Sequence, residues 1–170
     1  MNLFFARRQV NIMTMMKQLC HILAPVSGRT MELSQVPDPV FSEKLTGDGL
    51  AIIAEGDTVL APCDGVISLF FDTKHAFAIT TDEGVQVLVH IGLDTVIMNG
   101  TGITAFHQPG ERVKAGMPIL KLDLPLLKKR QINLISPVLI VNYEKVASLQ
   151  PEPAGKEVAA GNDAVLDYAV

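Results

Sequence analysis

Cysteine is scarce in this chain of 170 residues: there are two, Cys20 and Cys63, in unrelated contexts. That excludes a disulfide framework and any CxxC pair, and it fits a reducing compartment. No apolar run approaches the roughly 18 residues of a membrane span. Basic residues are also few, 14 Lys and Arg against 18 Asp and Glu for a net charge of −4. A nucleic-acid binder would need a basic stripe, so nucleic acid is excluded as a partner.

Apolar residues supply 48% of the chain, enough for a folded core rather than wholesale disorder. The length suits one domain. From Ile22 onward, short runs such as Leu50-Ala-Ile-Ile-Ala, Gly65-Val-Ile-Ser-Leu-Phe-Phe, Val85-Gln-Val-Leu-Val and Ile119-Leu-Lys-Leu alternate with Gly, Pro, Asp and Asn. This is the pattern of an all-β sandwich or barrel. One short internal helix is predicted at Leu124-Pro125 followed by Leu126 to Gln131, with proline in the first turn. The stretch from Gln150 to Gly161, rich in Pro, Ala, Gly and Glu, reads as loop, and Ala164-Val-Leu-Asp-Tyr as a strand that closes the sheet. An internal echo links Ile22-Leu-Ala-Pro-Val-Ser-Gly28 to Val59-Leu-Ala-Pro-Cys-Asp-Gly65, and more loosely to Leu134-Ile-Ser-Pro-Val138. Repetition of a strand end, a proline and a glycine turn implies a fold of related halves.

Residues 1–20 differ from the rest. They carry Arg7, Arg8 and Lys17, no acid, and many Phe, Met and Leu. Wound as a helix, they place Arg7, Asn11, Thr14 and Gln18 on one narrow face, a composition suited to lying on an anionic membrane surface. A secretory signal fits poorly, because Arg7, Arg8 and Gln9 break the apolar stretch and no small-residue cleavage site follows. The plain alternatives are a flexible terminus, or residues upstream of a start at Met13, Met15 or Met16. We therefore divide the chain into an amphipathic or flexible segment, 1–20, and one folded domain, 21–170.

The chemistry concentrates in two histidines, His75 and His90, set on either side of an acidic, glycine-containing turn. A hairpin centred between Asp82 and Glu83 would put His75 directly opposite His90, with Cβ atoms about 4.5–5.5 Å apart. A three-residue loop with Gly84 in the left-handed conformation would shift that register by one. Alternation assigns Val85, Val87 and Val89 to the core and Gln86, Leu88 and His90 to the opposite face. Thr73, two residues before His75, is in reach of that ring if the segment is extended. Imidazole serves as nucleophile, proton carrier or metal ligand near neutral pH.

Five ordered motifs between about Ile22 and Tyr143 carry a resemblance. They are Val36-Pro-Asp38-Pro-Val40-Phe41 leading to Gly47-Asp48-Gly49, Thr73-Lys-His75-Ala-Phe, Val89-His90-Ile-Gly92-Leu-Asp94-Thr95-Val96, Gly110 to Gly116, and Asp123-Leu-Pro-Leu-Leu127. Together they resemble glucose-type enzyme IIA, a phosphocarrier of the bacterial sugar phosphotransferase system. The resemblance implies an antiparallel barrel-sandwich, a duplicated hybrid motif with at most short helices. It implies that His90 accepts a phosphoryl group on Nε2 from the histidine phosphocarrier protein (HPr) and passes it to a cysteine of a IIB domain. It makes His75 the phosphate-stabilising group and Thr73 the residue that orients it. Val40, Phe41, Leu45, Phe71, Leu88 and Val96 match or replace the family's apolar ring, with Asp38 and Asp94 at its fringe toward HPr. Gly92 lets the backbone approach, and its carbonyl would fix the His90 tautomer. No cofactor is implied, and zinc would be held by His75 and His90 only if a partner protein added a carboxylate. Non-PTS permeases and glycerol kinase are further partners of the family, and the location implied is cytoplasmic, peripheral to the inner membrane if residues 1–20 bind it.

The chain departs from the family pattern at Leu88 and Ile91, where many relatives carry phenylalanine, and at Lys128-Lys129-Arg130, a segment that is often acidic. His21 and His107 match no motif. Three rival readings share some of these features. A zinc hydrolase of the lysostaphin-type peptidase class needs an H-x-H element and a third ligand, and Leu88 stands two before His90. A biotinyl or lipoyl carrier would share Gly110-Glu-Arg-Val-Lys-Ala-Gly116 but needs a hairpin lysine. A regulatory binding protein without transfer activity is opposed by the presence of both histidines.

Overall fold

The computed structural model describes residues 17–170, and the membrane-surface reading of residues 1–20 lies almost wholly outside them. The predicted all-β fold is present. Strands β1 (Leu19–Leu23), β2 (Gly28–Glu32), β3 (Asp48–Ala54), β4 (Thr58–Leu60), β5 (Gly65–Phe70), β6 (Ala76–Thr80) and β7 (Gln86–His90) form the first half. They are followed by β8 (Ile103–Ala105), β9 (Arg112–Val113), β10 (Pro118–Leu122), β11 (Ile135–Ile140), β12 (Ser148–Pro151), β13 (Glu157–Val158) and β14 (Ala164–Ala169). Eight strands run antiparallel in the order β13-β2-β3-β11-β7-β6-β5-β9, and two three-stranded sheets, β1-β14-β12 and β4-β10-β8, complete the sandwich. Among the described residues the two α-helices are short, α1 (Pro39–Ser42) and α2 (Leu124–Lys129). Each carries proline in its first turn behind an aspartate cap: Asp38 accepts from Val40 N at 3.0 Å and Asp123 from Leu126 N at 3.1 Å.

One sequence expectation is corrected. The Gln150–Gly161 stretch is not all loop, since it contributes to β12 and supplies β13. Its pairing potential was hidden by its Pro, Ala and Gly content, because edge strands this short draw their order from neighbours rather than from propensity. β1 begins at Leu19, and Leu19 and Cys20 pair with Ala169 and Tyr168 of β14.

The internal echo corresponds to a structural duplication. Leu23 N donates to Pro62 O at 2.9 Å while Leu60 N donates to Pro25 O at 2.7 Å, so the two Ala-Pro turns clasp each other reciprocally. A second echo completes it: Gly110-Glu-Arg-Val-Lys-Ala-Gly116 and Gly155-Lys-Glu-Val-Ala-Ala-Gly161. Val113 of the first pairs with Gly65, and Val158 of the second pairs with Gly28. Both paired positions need glycine for space. A Cβ on Gly28 would lie 2.1 Å from Ile53 O, and one on Gly65 2.4 Å from Thr80 O. Gly28→Ala should therefore cost on the order of 3 kcal/mol through forced strand separation. A denaturant midpoint within error of the parent's would count against this close approach.

Two packing layers flank the long sheet. Val87 and Val89 of β7, Phe77 and Ile79 of β6, and Val138 and Ile140 of β11 point into the main core against the small sheets. The alternate residues Leu88, Ala76, Ala78 and Leu139 form a thinner layer on the other face, covered by Leu33, Val36 and Phe41. The central strands are thus buried on both faces, and the alternation of β7 is between two apolar layers rather than between core and solvent. His90 sits at the end of the thin layer.

Candidate functional site

The hairpin takes the shifted register. Ala76 pairs with His90 and Phe77 with Val89, so His75 is not directly opposite His90. Gly84 lies in the left-handed region at φ 84°, the three-residue arrangement that moves the pairing by one. Strict alternation would then send His75 to the opposite face. It does not, because Lys74 is left-handed (φ 58°) and β6 begins only at Ala76, so the chain turns at His75 instead of running on extended. The two imidazoles meet edge to face with centroids 4.8 Å apart. The segment holding Thr73 is likewise a turn, and Thr73 Oγ1 lies 2.5 Å from His75 Nδ1.

His90 Nδ1 lies 2.8 Å from Gly92 O, which makes Nδ1 the protonated nitrogen and leaves the Nε2 lone pair bare. Gly92 is left-handed (φ 69°), and a Cβ there would lie 2.4 Å from Thr95 Oγ1 and 2.7 Å from Asn133 O. Only glycine fits where this carbonyl must turn back on the ring. Phe41 packs against His90 with centroids 5.0 Å apart, and Phe71 against His75 at 5.1 Å. With Asp38, Val40, Asp94, Thr95 and Val96, Phe41 and the two histidines line a shallow depression of about 210 Å³.

The remaining sequence candidates fall into two groups. Val40, Leu45, Phe71 and Val96 are exposed apolar side chains, whereas Phe41 and Leu88 are 5% and 7% exposed and support the rim from beneath. Ile97, next to Val96 in the chain and not among the sequence candidates, is more open than any of them at 72%. Asp38 has a second task, capping the helix that carries Phe41 onto the ring. Lys128, Lys129 and Arg130 are exposed at the end of α2. His21 and His107 are held by carboxylates, Asp167 and Glu111, each at 2.6 Å, and stand apart from the pair. Among the described residues no cluster of three His, Cys, Asp or Glu side chains could hold a metal.

Burial sets the charge state. Removal from water, reinforced by the neighbouring His75, holds the His90 imidazole down at about 4 against the opposing pull of the Gly92 carbonyl and Asp38. Burial lowers His75 as well. Both rings are neutral at pH 7. Because the folded value of His90 lies below the unfolded one, the unfolded chain binds more protons between pH 6.5 and 4, and stability falls as pH falls through that window. The loss is nil above pH 6.5 and amounts to about 3 kcal/mol by pH 4. Thermal midpoints at pH 7 and 4 should differ by less in His90→Gln than in the parent. An equal drop in both would reject the assignment.

A neutral, desolvated imidazole with a bare Nε2 sits beside a second imidazole in an open apolar rim rather than a deep cleft, an arrangement suited to exchanging a small group with other proteins. Residues 20–146 match the phosphoenolpyruvate-dependent sugar phosphotransferase system, EIIA 1 family. The chain is 44% identical over 129 residues to the PTS system glucose-specific EIIA component of Borreliella burgdorferi, covering 76% of this chain and 68% of that one. It is 40% identical over 145 residues to the component of the same name from Haemophilus influenzae, covering 85% and 86%. Among solved structures, glucose permease IIA from Mycoplasma capricolum superposes with a TM-score of 0.80 at 36% identity, covering 88% of this chain and 96% of that one. The chain belongs to the EIIA family of the sugar phosphotransferase system. As a member it is a phosphotransferase component that carries phosphoryl groups in sugar transport. No helix among its described residues is long and apolar enough to cross a membrane.

Proposed function

We propose that His90 Nε2 is the phosphoryl acceptor, taking the group from HPr and passing it to the cysteine of a sugar-specific IIB domain. The observation that carries this is the His90 Nδ1 to Gly92 O hydrogen bond, which commits the ring to a bare Nε2 beside His75. In acceptance, the donor's nitrogen–phosphorus bond breaks as the Nε2–phosphorus bond forms. In donation, that bond breaks in turn as sulfur bonds to phosphorus. Such transfers need an in-line nucleophile and donors on the equatorial oxygens, and little more. Thr73, by donating its hydroxyl to His75 Nδ1, would fix that ring with Nε2–H toward the phosphoryl oxygens. Val40, Leu45, Phe71, Val96 and Ile97 would dock the partners, with Phe41 and Leu88 as the floor and Asp38 and Asp94 meeting basic groups of HPr.

The transfer needs no cofactor in this reading. Two imidazoles are one ligand short of a zinc site, so a bound zinc would require a carboxylate from a partner. Regulated permeases or glycerol kinase would meet the unphosphorylated rim, and the exchange would take place in the cytoplasm, near the inner membrane where residues 1–20 touch it. Glucose is the sugar that the relatives' names support. Incubation with enzyme I, HPr and labelled phosphoenolpyruvate, followed by mapping of acid-labile phosphate, tests the proposal. Label on His90 is expected. Label on His75 alone, or none, would refute it.

A further inference from the structure

Two buried hydroxyls hold the backbone that sets the His90 ring. Thr95 and Ser136 are both fully buried. Thr95 Oγ1 donates to Ile91 O at 2.6 Å, and Gly92 N donates to Ser136 Oγ at 3.0 Å. The Ile91 carbonyl and the Gly92 N–H are the two ends of one peptide unit, so that unit is clamped from both sides, by a residue four positions on and by one from β11. Ser136 Oγ in turn donates to Leu134 O at 2.9 Å, which fixes its own rotor so that a lone pair faces Gly92. The next peptide unit is held as firmly: Leu93 N donates to Asn133 O at 2.8 Å, while its other end, Gly92 O, accepts from His90 Nδ1.

We infer that Ser136 and Thr95 are positioning residues for phosphoryl transfer, keeping the Gly92 carbonyl on His90 Nδ1 and thereby the lone pair on Nε2. The transfer chemistry rests on the function proposed above, whereas the tautomer control rests on the geometry of these bonds alone. Loss of the Ser136 hydroxyl strands a buried N–H, and loss of the Thr95 hydroxyl strands a buried carbonyl. A left-handed Gly92 freed from either clamp reorients toward a new partner and takes its carbonyl with it. The His90 ring then exchanges into the tautomer with hydrogen on Nε2, which has no lone pair for phosphorus. Ser136 lies 46 residues from His90 and touches neither imidazole, so no motif around the histidines announces it.

The test compares Ser136→Ala and Thr95→Val with the hydroxyl-retaining Ser136→Thr and Thr95→Ser, each with its unfolding midpoint. Nitrogen-15 spectra of histidine-labelled, unphosphorylated protein at neutral pH report the His90 tautomer, and saturation with phosphorylated HPr reports the rate. The hydroxyl-less variants should show averaged ring-nitrogen shifts in place of the parent's distinct pair. Their acceptance should be roughly tenfold slower at saturating donor, with the half-saturating concentration unchanged. The hydroxyl-retaining variants should return toward the parent in both. Parent-like tautomer and rate in Ser136→Ala and Thr95→Val would overturn the inference, and so would failure of both to fold, which would assign the hydroxyls to the fold alone. A parent protein not phosphorylated at His90 would instead refute the proposed function, with the tautomer comparison still deciding the clamp.

Discussion

His90→Gln should abolish phosphoryl acceptance while leaving a folded protein. The amide of glutamine has no nucleophilic lone pair at neutral pH, so the variant lacks the atom on which the phosphoryl group rides rather than a group that assists it. The loss should exceed about 10⁴-fold, equivalent to more than about 5 kcal/mol of transition-state stabilisation. The fold has little reason to fail. His90 lies at the end of β7, over the thin layer, and the main core beneath is built by Val87 and Val89. Glutamine forfeits the ring contacts with Phe41 and His75, but it also removes a desolvated imidazole whose protonation opposes folding in acid. Label transfer from phosphoenolpyruvate through enzyme I and HPr, read beside a thermal unfolding curve, checks both halves. Substantial acid-labile label in a folded His90→Gln protein would displace the acceptor role to another side chain.

The strand framework was legible because Val, Ile and Leu runs between glycine and proline turns carry the period of strands, and β3, β5, β7 and β10 lie where those runs do. The histidine pair was legible as a pair, although its geometry was not. Register turned on whether Gly84 would go left-handed, and the facing of the rings turned on Lys74 doing the same, which sequence does not signal for lysine. Leu88 illustrates another limit. Its alternation with the valines placed it correctly on the His90 face, yet that face is covered by Leu33, Val36 and Phe41, so a residue assigned to the docking rim is its floor. Ile97 went unread because a 3₁₀ turn after a left-handed Asp94 has no periodicity to betray which side chain stands outward. Ser136 belongs to a third class, in which a long-range contact supplies the meaning. In the sequence it is one more polar residue in an apolar strand, and only the pairing of β11 beside β7 brings it under Gly92.

The second histidine should fail at a different step. His75→Gln is expected to accept phosphate from HPr at a rate within about tenfold of the parent, and to pass it to a IIB domain about 10²- to 10³-fold more slowly. The asymmetry follows from charge. Acceptance moves the phosphoryl group from one neutral imidazole to another, so the site gains no negative charge beyond the group itself. Its oxygens then need a hydrogen-bond donor, which the glutamine amide still offers. Onward transfer brings a cysteine thiolate against a dianionic phosphoryl group in a rim of low dielectric, where each unit of charge is felt more strongly than in water. An imidazole held by Thr73 at its far nitrogen can take up positive charge as that thiolate approaches, and an amide cannot. Two measurements separate the steps: label captured from HPr in a single turnover, and the rate at which captured label leaves when an acceptor IIB domain is added. Onward transfer at the parental rate would remove His75 from the chemistry. Failure to accept at all would make it a support for His90 during acceptance rather than the group that releases the phosphoryl cargo.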